Sequence, residues 1–422
     1  MDKLFKPLPK FLVIFLTTVL ACTFLYHVNV PSSQKHMSTD KLNYPATRKG
    51  EQVDNYHGTE VADPYRWLEN PDSEDTKAWV EAQNKVTFNY LKQIPVRDDI
   101  KKRLTKLWDY EKYGVPFREG NRYFYFKNDG LQNQSVLYTL KNLEDEPQVL
   151  LNANKLSEDG TVALSGISVS DDGKYLAYGI SIAGSDWQEW KVRNIESGED
   201  LEDHLKWIKF SGASWTNDSK GFFYSRYDEP NEQTKLEDVN YYQKLYYHQL
   251  GKPQSEDTLI YERSDEKEWG FNGNVTEDGR YLIISVWLGT DSKNLVFYKN
   301  LTNPSSEVVE LISKFESSYS FIDNDDSIFY FQTDLNAPRG KVISVDIKNP
   351  ERESWQEIIS QTEETLESVG TINNKFVAEY LKDARSQIKI YDSKGSFIRE
   401  VELPGIGSVG GFNGKITDTE TF

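Results

Sequence analysis

The sequence has few cysteines and histidines, the residues that most often form disulfides, thiol nucleophiles and metal sites. Its 422 residues include one cysteine, Cys22, and five histidines. Because Cys22 lies in an apolar N-terminal stretch, the rest of the chain can form no disulfide, no thiolate metal site and no cysteine nucleophile. Its acidic clusters lack calcium-loop spacing, and no Walker or dinucleotide-type glycine motif occurs. We therefore expect no metal and no cofactor.

Basic residues are scarce relative to acidic ones. The chain has 49 Lys and Arg against 67 Asp and Glu, a formal net charge of −18. Nucleic acid is excluded as a partner because phosphate binding needs a basic surface. Methionine is nearly absent, with two residues, whereas aromatic residues make up 13% of the chain. An aromatic-rich composition favours a mainly β fold, since aromatic side chains pack well on pleated faces.

A long apolar run lies near the N-terminus. Three lysines at positions 3, 6 and 10 precede the mainly apolar stretch Phe11 to Val30, a pattern typical of an export signal or a membrane anchor. Three interpretations of residues 1–30 stay open: a cleaved signal peptide, an uncleaved anchor formed by residues 11–30, and a lipoprotein modified at Cys22, although Leu20 fits a lipoprotein cleavage box poorly. All three export the folded part, and residues 31–43 are predicted to be a flexible tether.

Residues 44–109 are predicted to form an N-terminal helical segment. Ser73 followed by Glu74 and Asp75 is a helix start, because an N-cap hydroxyl and early carboxylates both suit the positive end of the helix dipole. The first helix should run to about Leu91, and the second from Asp98 to Trp108. Tyr44 to Asn70 is expected to be extended or irregular.

From residue 110 the pattern changes to short strands joined by polar turns. Each turn recurs after about 40 to 60 residues and is followed in most cases by an aromatic-rich strand, the signature of a β-propeller. Seven turns predict seven blades: Glu119-Gly120-Asn121, Asp172-Gly173, Asn217-Asp218-Ser219, Asp278-Gly279, Asn324-Asp325-Asp326, Asn373-Asn374 and Asn413-Gly414. Only eight residues follow the seventh turn. We therefore expect residues 110–422 to be a seven-bladed propeller whose last blade is incomplete.

Several stretches, in the same order along residues 44–422, resemble the prolyl oligopeptidase family. They are Asp63 to Glu69 (DPYRWLE), Glu81 to Lys85 (EAQNK), Arg122 to Phe126 (RYFYF), Gly130 to Gln134 (GLQNQ), Leu156 to Trp187, and Lys244 to His248 (KLYYH). The resemblance implies a two-domain serine endopeptidase that cleaves short peptides after proline. In this family a propeller gates access to an α/β-hydrolase domain that carries the catalytic Ser, Asp and His.

The sequence departs from that pattern in its catalytic residues. No G-x-S-x-G motif, which an exposed serine nucleophile requires, occurs between Met1 and Phe422. The histidines are His27, His36, His57, His204 and His248, and none lies in a motif expected of a catalytic base. We therefore predict no catalytic residue in this chain and no peptide hydrolysis by the chain alone.

Two residues are candidates for lining the substrate pocket. The resemblance implies that Phe210, in Lys209-Phe210-Ser211, is a pocket aromatic, although a core position is the alternative from the residues alone. Asp186 matches a family acidic residue near the domain interface, and a turn-stabilising role is equally compatible with its sequence context. The family also has an arginine near this pocket, where the chain reads Ser285-Val286-Trp287.

Two functional hypotheses follow. In the first, the chain is the N-terminal and propeller portion of a prolyl oligopeptidase, whose partners are short proline-containing peptides once a hydrolase domain completes it. In the second, it is a stand-alone binding or scaffold propeller that has lost that domain. The first predicts a propeller that filters peptides by size, and the second an exposed apolar patch around Trp67 and Trp79.

Overall fold

The computed structural model of the chain describes residues 42–231, 239–412, 414–419 and 421. The predictions for the apolar leader, Cys22, His27, His36 and the tether up to residue 41 lie outside these ranges. The described residues fall into two compact units that divide between Trp108 and Asp109. Within the described ranges, no helix is both long and apolar enough to span a membrane.

The first unit contains a small hairpin and two helices. Its elements are β1 (Val53–Tyr56), β2 (Thr59–Ala62), a 3-10 turn (Arg66–Glu69), α1 (Glu74–Lys92) and α2 (Arg97–Trp108). The predicted N-cap of α1 is confirmed, since the Ser73 hydroxyl accepts a hydrogen bond from the Thr76 amide at 3.2 Å. The hairpin was not predicted, because β1 and β2 are only four residues long and expose nearly every side chain.

One side of α2 is apolar and largely exposed to solvent. Ile100, Leu104, Leu107 and Trp108 are each at least half exposed, and they recur at the spacing that places side chains on one helix face. An apolar stripe of this kind is usually buried against another element. The first unit therefore carries a surface that is suited to contact with another protein surface.

The second unit is built from six antiparallel sheets. In five of them each strand pairs with the next one along the chain, whereas in the first sheet the two leading strands both pair with the third. The first blade contains β3 (Lys112–Tyr113), β4 (Phe117–Glu119), β5 (Arg122–Asn128), β6 (Val136–Leu140) and β7 (Gln148–Asn152). The second contains β8 (Val162–Val169), β9 (Tyr175–Ile182), β10 (Gln188–Asn194) and β11 (Asp200–Ile208). The third contains β12 (Ser214–Trp215), β13 (Gly221–Arg226), β14 (Lys244–Gln249) and β15 (Thr258–Tyr261).

The remaining three blades have four strands each. The fourth contains β16 (Trp269–Val275), β17 (Tyr281–Leu288), β18 (Asn294–Asn300) and β19 (Val308–Ile312). The fifth contains β20 (Tyr319–Asp325), β21 (Ile328–Thr333), β22 (Lys341–Asp346) and β23 (Gln356–Ile359). The sixth contains β24 (Thr365–Ile372), β25 (Lys375–Lys382), β26 (Arg385–Asp392) and β27 (Phe397–Val401).

The prediction of seven blades, the last incomplete, is wrong, because the described residues form a six-bladed propeller. The first six predicted turns each join two paired strands, but no strand follows β27 among the described residues. Asn413 of the seventh turn lies outside those residues. A turn signal is local, whereas a blade also needs a partner strand. The Ile416 carbonyl instead accepts a hydrogen bond from the Asn374 amide, at 3.3 Å, in the last turn of the sixth blade.

The hydrophobic core lies between neighbouring blades. Each apolar cluster joins two of them, as where Trp190 and Leu205 of the second blade pack with Phe222 and Tyr246 of the third. Fully buried aromatic residues repeat this arrangement between the fourth and fifth blades, where Phe329 and Phe331 are 0% exposed. The aromatic-rich strands seen in the sequence therefore form the layers that hold the blades together.

Candidate functional site

The strand order places the connecting segments of each blade on two opposite faces. In the second blade, residues 170–174 join β8 to β9 at one face. Because the strands are antiparallel, residues 183–187, which join β9 to β10, lie at the opposite face. Residues 209–213, which lead from β11 into the third blade, lie at that same opposite face. Both pocket candidates, Asp186 and Phe210, are therefore on one face of the propeller.

Phe210 lies in the loop between β11 and β12 and is 56% exposed. Its ring packs edge to face against Trp287 of β17, with centroids 5.9 Å apart. The core alternative for Phe210 therefore does not hold. Its backbone φ of 55°, like the 62° of Trp207, is in the left-handed region, which is a strained conformation for a bulky side chain and is often found at functional sites.

The neighbouring Lys209 connects this loop to the segment that contains Asp186. Its ammonium lies 4.0 Å from the centroid of the Trp187 ring and donates to Asn240 Oδ1 at 3.2 Å. Burial lowers the pKa of Lys209, and the negative charge of Asp186 acts in the opposite direction. Asp186 itself is exposed, and the turn is closed by the Ser185 amide, which donates to Ile182 O at 3.0 Å.

Gln243 supports the Phe210 loop, and sequence reasoning missed it. Only 1% of it is exposed. Its Nε2 donates to the Lys209 carbonyl at 2.9 Å, and its Oε1 accepts from the Phe271 amide at 2.6 Å. One buried amide thus holds the loop beside Phe210 to the first strand of the fourth blade. The sequence contains no local signal for this role, since the three residues are distant in the chain.

A cavity of about 910 Å³ lies at the other end of the propeller, among turns of the first four blades that contain residues 119–121, 170–173, 216–219 and 276–279. Three of these turns share the pattern Ser/Thr-x-Asp-Gly/Ser. The first hydroxyl bonds to the Asp carboxylate in each, at 2.8 Å in Ser170–Asp172 and 2.6 Å in Thr276–Asp278. The second positions of the three turns all line the cavity: Asp171, Asn217 and Glu277.

Residues 414–419 cross this end of the cavity. Lys415 Nζ lies 2.9 Å from both Glu119 Oε2 and Asp171 Oδ1, and the Ile416 amide donates to Glu277 Oε2 at 2.7 Å. Burial raises the pKa of Glu119 and of Glu277. Burial also opposes the charge of Lys415, but its carboxylate partners raise the pKa of the ammonium. The turns of the first, second and fourth blades are thus tied together across the cavity.

The described histidines are not arranged as catalytic bases. His57 is exposed in the hairpin of the first unit, and His204 Nε2 lies 2.6 Å from Glu189 Oε2 on the surface. Both ring nitrogens of the buried His248 face carboxylates, so neither is available to a serine hydroxyl. Among the described residues, no group of three or more His, Cys, Asp or Glu side chains is arranged to hold a metal ion.

The family is shown by a direct match. Residues 44–422 match the model for the N-terminal β-propeller domain of prolyl oligopeptidase. The chain belongs to this family. The resemblance found in its motifs is confirmed over both structural units, since the match begins in the first unit and extends through all six blades.

Curated relatives and solved structures agree with this assignment. The chain is 41% identical over 385 residues to the prolyl endopeptidase of Elizabethkingia miricola, covering 91% of this chain and 54% of the relative. It is 33% identical over 402 residues to prolyl oligopeptidase A of Amanita bisporigera, covering 87% and 53%. The chain therefore spans about half the length of the curated relatives it matches.

Two solved structures of prolyl oligopeptidases are similar to this chain. A structure from a mechanistic analysis of two prolyl endopeptidases has a TM-score of 0.67 at 35% identity, covering 88% of this chain and 54% of that one. Prolyl oligopeptidase B of Galerina marginata, bound to a 35-residue hydrolysis and macrocyclization substrate, has a TM-score of 0.78 at 29% identity, covering 89% and 56%.

Proposed function

We propose that this chain is the substrate-facing, noncatalytic portion of a prolyl oligopeptidase-type serine endopeptidase that cleaves short peptides after proline. The observation that carries this proposal is the exposed Phe210 ring, held against Trp287 by a strained loop. A rigid aromatic pair offers an apolar surface to a proline-containing peptide at a low cost in side-chain entropy. Asp186 and Lys209 supply charged groups beside it.

The propeller gates access to this site in the proposal. Residues 414–419 cross the end of the cavity that faces away from Phe210, and the Lys415 ion pairs hold them there. A peptide therefore reaches Phe210 from the face that carries residues 183–187 and 209–213, called here the loop-bearing face. In the proposal only a short peptide fits there, between the propeller and a second domain. The filter acts by size and selects neither charge nor sequence.

The catalytic serine, aspartate and histidine belong, in this proposal, to an α/β-hydrolase domain that corresponds to the half of the relatives that this chain does not cover. The exposed apolar face of α2, formed by Ile100, Leu104, Leu107 and Trp108, is a docking surface for that domain. The 422 residues by themselves do not hydrolyse peptides. We also propose that the protein is exported, with residues 11–30 as its signal or anchor.

A hybrid enzyme tests the proposal. The full chain is joined to the part of the Elizabethkingia miricola prolyl endopeptidase that it does not cover, and a short fluorogenic peptide with proline before the cleaved bond is the substrate. We expect turnover by the hybrid and none by the chain alone. The intact relative serves as the positive control, and a hybrid with Ile100→Asp tests the docking face.

Two results would overturn the proposal. One is turnover by the chain alone, with labelling of the chain by an active-site serine reagent. The other is a hybrid that is monomeric and melts cooperatively, yet cleaves no proline-containing peptide. The latter result would favour a binding propeller that does not support peptidase chemistry.

A further inference from the structure

A histidine is buried between two carboxylates where the second and third blades meet. His248 on β14 places Nδ1 2.7 Å from Asp257 Oδ1 and Nε2 3.0 Å from Asp203 Oδ1. The three side chains are 0%, 1% and 1% exposed. Charged side chains are almost never buried this completely unless they are paired, so each carboxylate needs a positive or hydrogen-bonding partner beside it.

The surrounding donors fix where the protons lie. The Gly251 amide donates to Asp203 Oδ1 at 2.7 Å, and the Tyr224 hydroxyl donates to Asp257 Oδ2 at 2.6 Å. Tyr224 is free to donate because its oxygen accepts a hydrogen bond from Gln254 Nε2 at 3.0 Å. Both carboxylates therefore act as acceptors, which is the behaviour of the ionised form.

The ring nitrogens must then both donate. A neutral imidazole has one N–H, and its other nitrogen would direct a lone pair at a carboxylate oxygen. Only the imidazolium ion satisfies both contacts. Asp203 Oδ2 is buried without a hydrogen bond from the described residues, so the positive charge of His248 is the main compensation for that carboxylate.

The contacts cross from one blade to the next. Asp203 belongs to β11 of the second blade, whereas His248, Tyr224 and Asp257 belong to the third. Gln254 of the third blade adds two hydrogen bonds to the backbone of Lys206 on β11, at 3.1 and 3.0 Å. This polar network continues the apolar layer that the same two blades share.

We propose that His248, held as an imidazolium ion, is a charged clamp between the second and third blades, and that loss of its proton in alkaline solution loosens this junction. The titratable groups that face the ring are Asp203 from β11, Asp257 from the segment before β15 and, through Asp257, Tyr224 from β13. The Phe222 ring, whose centroid lies 5.3 Å from that of the imidazole, also packs against His248 but has no titratable group.

The direction of the pH effect follows from the proton balance. Burial opposes the charge of His248, but the hydrogen bonds to Asp203 and Asp257 outweigh it and raise its pKa from 6.5 to about 9. A raised pKa means that the folded state holds a proton that the unfolded state has released. The stabilisation is complete below pH 6.5 and is lost as the pH rises through about 9.

Urea unfolding of the full chain between pH 6.5 and 9.5 tests the clamp, with His248→Gln as the variant. His204→Gln is the matched control, because His204 also faces a carboxylate but on the surface. We expect the ratio of unfolding constants, His248→Gln over wild type, to fall by about 10- to 100-fold across this range. The ratio for His204→Gln should stay constant. A constant ratio for His248→Gln would overturn the proposal.

A second measurement does not depend on the variant folding. In the wild-type chain labelled with ¹⁵N-histidine, the two ring nitrogens of His248 should keep imidazolium shifts up to pH 8 and change near pH 9. Once the intrinsic base-catalysed rise in amide exchange is divided out, protection should fall over the same range in peptides from β11 and β14, and not in peptides from β22. Loss of the His248 ring proton below pH 8 would contradict the clamp.

Discussion

Phe210 meets Trp287 edge to face, with ring planes at 86° and centroids 5.9 Å apart. Trp287 belongs to the stretch Ser285-Val286-Trp287, on the strand where the family resemblance led us to expect an arginine near the pocket. An indole ring, and not an arginine guanidinium, therefore contacts Phe210 here, and the contact is apolar where a charged one was expected. The wall of the candidate pocket is therefore more apolar than the resemblance implies. Substitution of Trp287 tests the contribution of this wall.

Trp287→Ala in the hybrid enzyme should weaken peptide capture. An edge-to-face aromatic pair contributes about 1 kcal/mol beyond the area it buries, so we expect KM to rise about 5-fold. Because Trp287 is not proposed to touch the reacting bond, kcat should change little. Steady-state kinetics measure both. Trp355→Ala, which removes a similar edge-to-face partner of Tyr319 in the fifth blade, is the control. An unchanged KM in Trp287→Ala would exclude the aromatic wall.

Gln243→Leu should destabilise the propeller and release the Phe210 loop. The substitution leaves the Lys209 carbonyl and the Phe271 amide buried without their partner, and each such group costs about 1–3 kcal/mol. We expect a loss of about 2–6 kcal/mol in the free energy of unfolding, measured in urea. The Phe271 amide should also exchange its hydrogen faster. Gln148→Leu, at an exposed position of β7, should have little effect. Equal stability of the two variants would show that Gln243 does not hold the loop.

Lys415→Met should release residues 414–419 from the cavity. Met keeps the apolar length of lysine but leaves Glu119 and Asp171 without their shared cation. We expect at least a 10-fold faster hydrogen exchange at the Ile416 amide, which otherwise donates to Glu277. Lys348→Met removes an exposed lysine that pairs with Asp326 at 3.2 Å and should leave this exchange unchanged. If the Ile416 amide of Lys415→Met exchanged as slowly as in the wild type, the Lys415 ion pairs would not be what holds residues 414–419 across the cavity.

The repeated strand-turn-strand pattern could be predicted from the sequence, but the number of blades could not. Turn chemistry is local, so the first six turns could be identified, from Glu119-Gly120 to Asn373-Asn374. Asn413-Gly414 carries the same local signal, but whether strands pair around it depends on contacts far away in the chain. The spacing of turns along the sequence does not indicate whether those contacts form.

The candidate site was only partly predictable for the same reason. Phe210 could be chosen only through the family resemblance, since its sequence context alone favours a core strand. Lys415 and its partner Asp171 are separated by 244 positions, and Gln243 acts through backbone groups that sequence does not display. A usable signal did exist in the repeated Ser/Thr-x-Asp turns, whose second positions Asp171, Asn217 and Glu277 all line the cavity.

Gly179→Ala should be strongly destabilising, because the indole of Trp190 lies over this glycine. A Cβ at residue 179 would come within 2.7 Å of two atoms of the Trp190 ring and 2.6 Å of Ser165 Oγ. Overpacking of this kind costs about 1–3 kcal/mol, which urea unfolding detects as a lower midpoint. At Gly212 a Cβ would meet no atom within 4 Å, so Gly212→Ala should unfold like the wild type. A normal midpoint for Gly179→Ala would show that the second blade is packed differently.

Photo-crosslinking tests the central claim most directly. A short proline-containing peptide with a benzophenone side chain before the proline is bound to the hybrid enzyme and irradiated, and the attachment sites are mapped by mass spectrometry. We predict crosslinks on residues 207–211 and on Trp287, which would place the peptide at the loop-bearing face. Crosslinks concentrated on Glu119, Asp171, Glu277 and Lys415 would place it at the opposite end of the propeller and contradict the account.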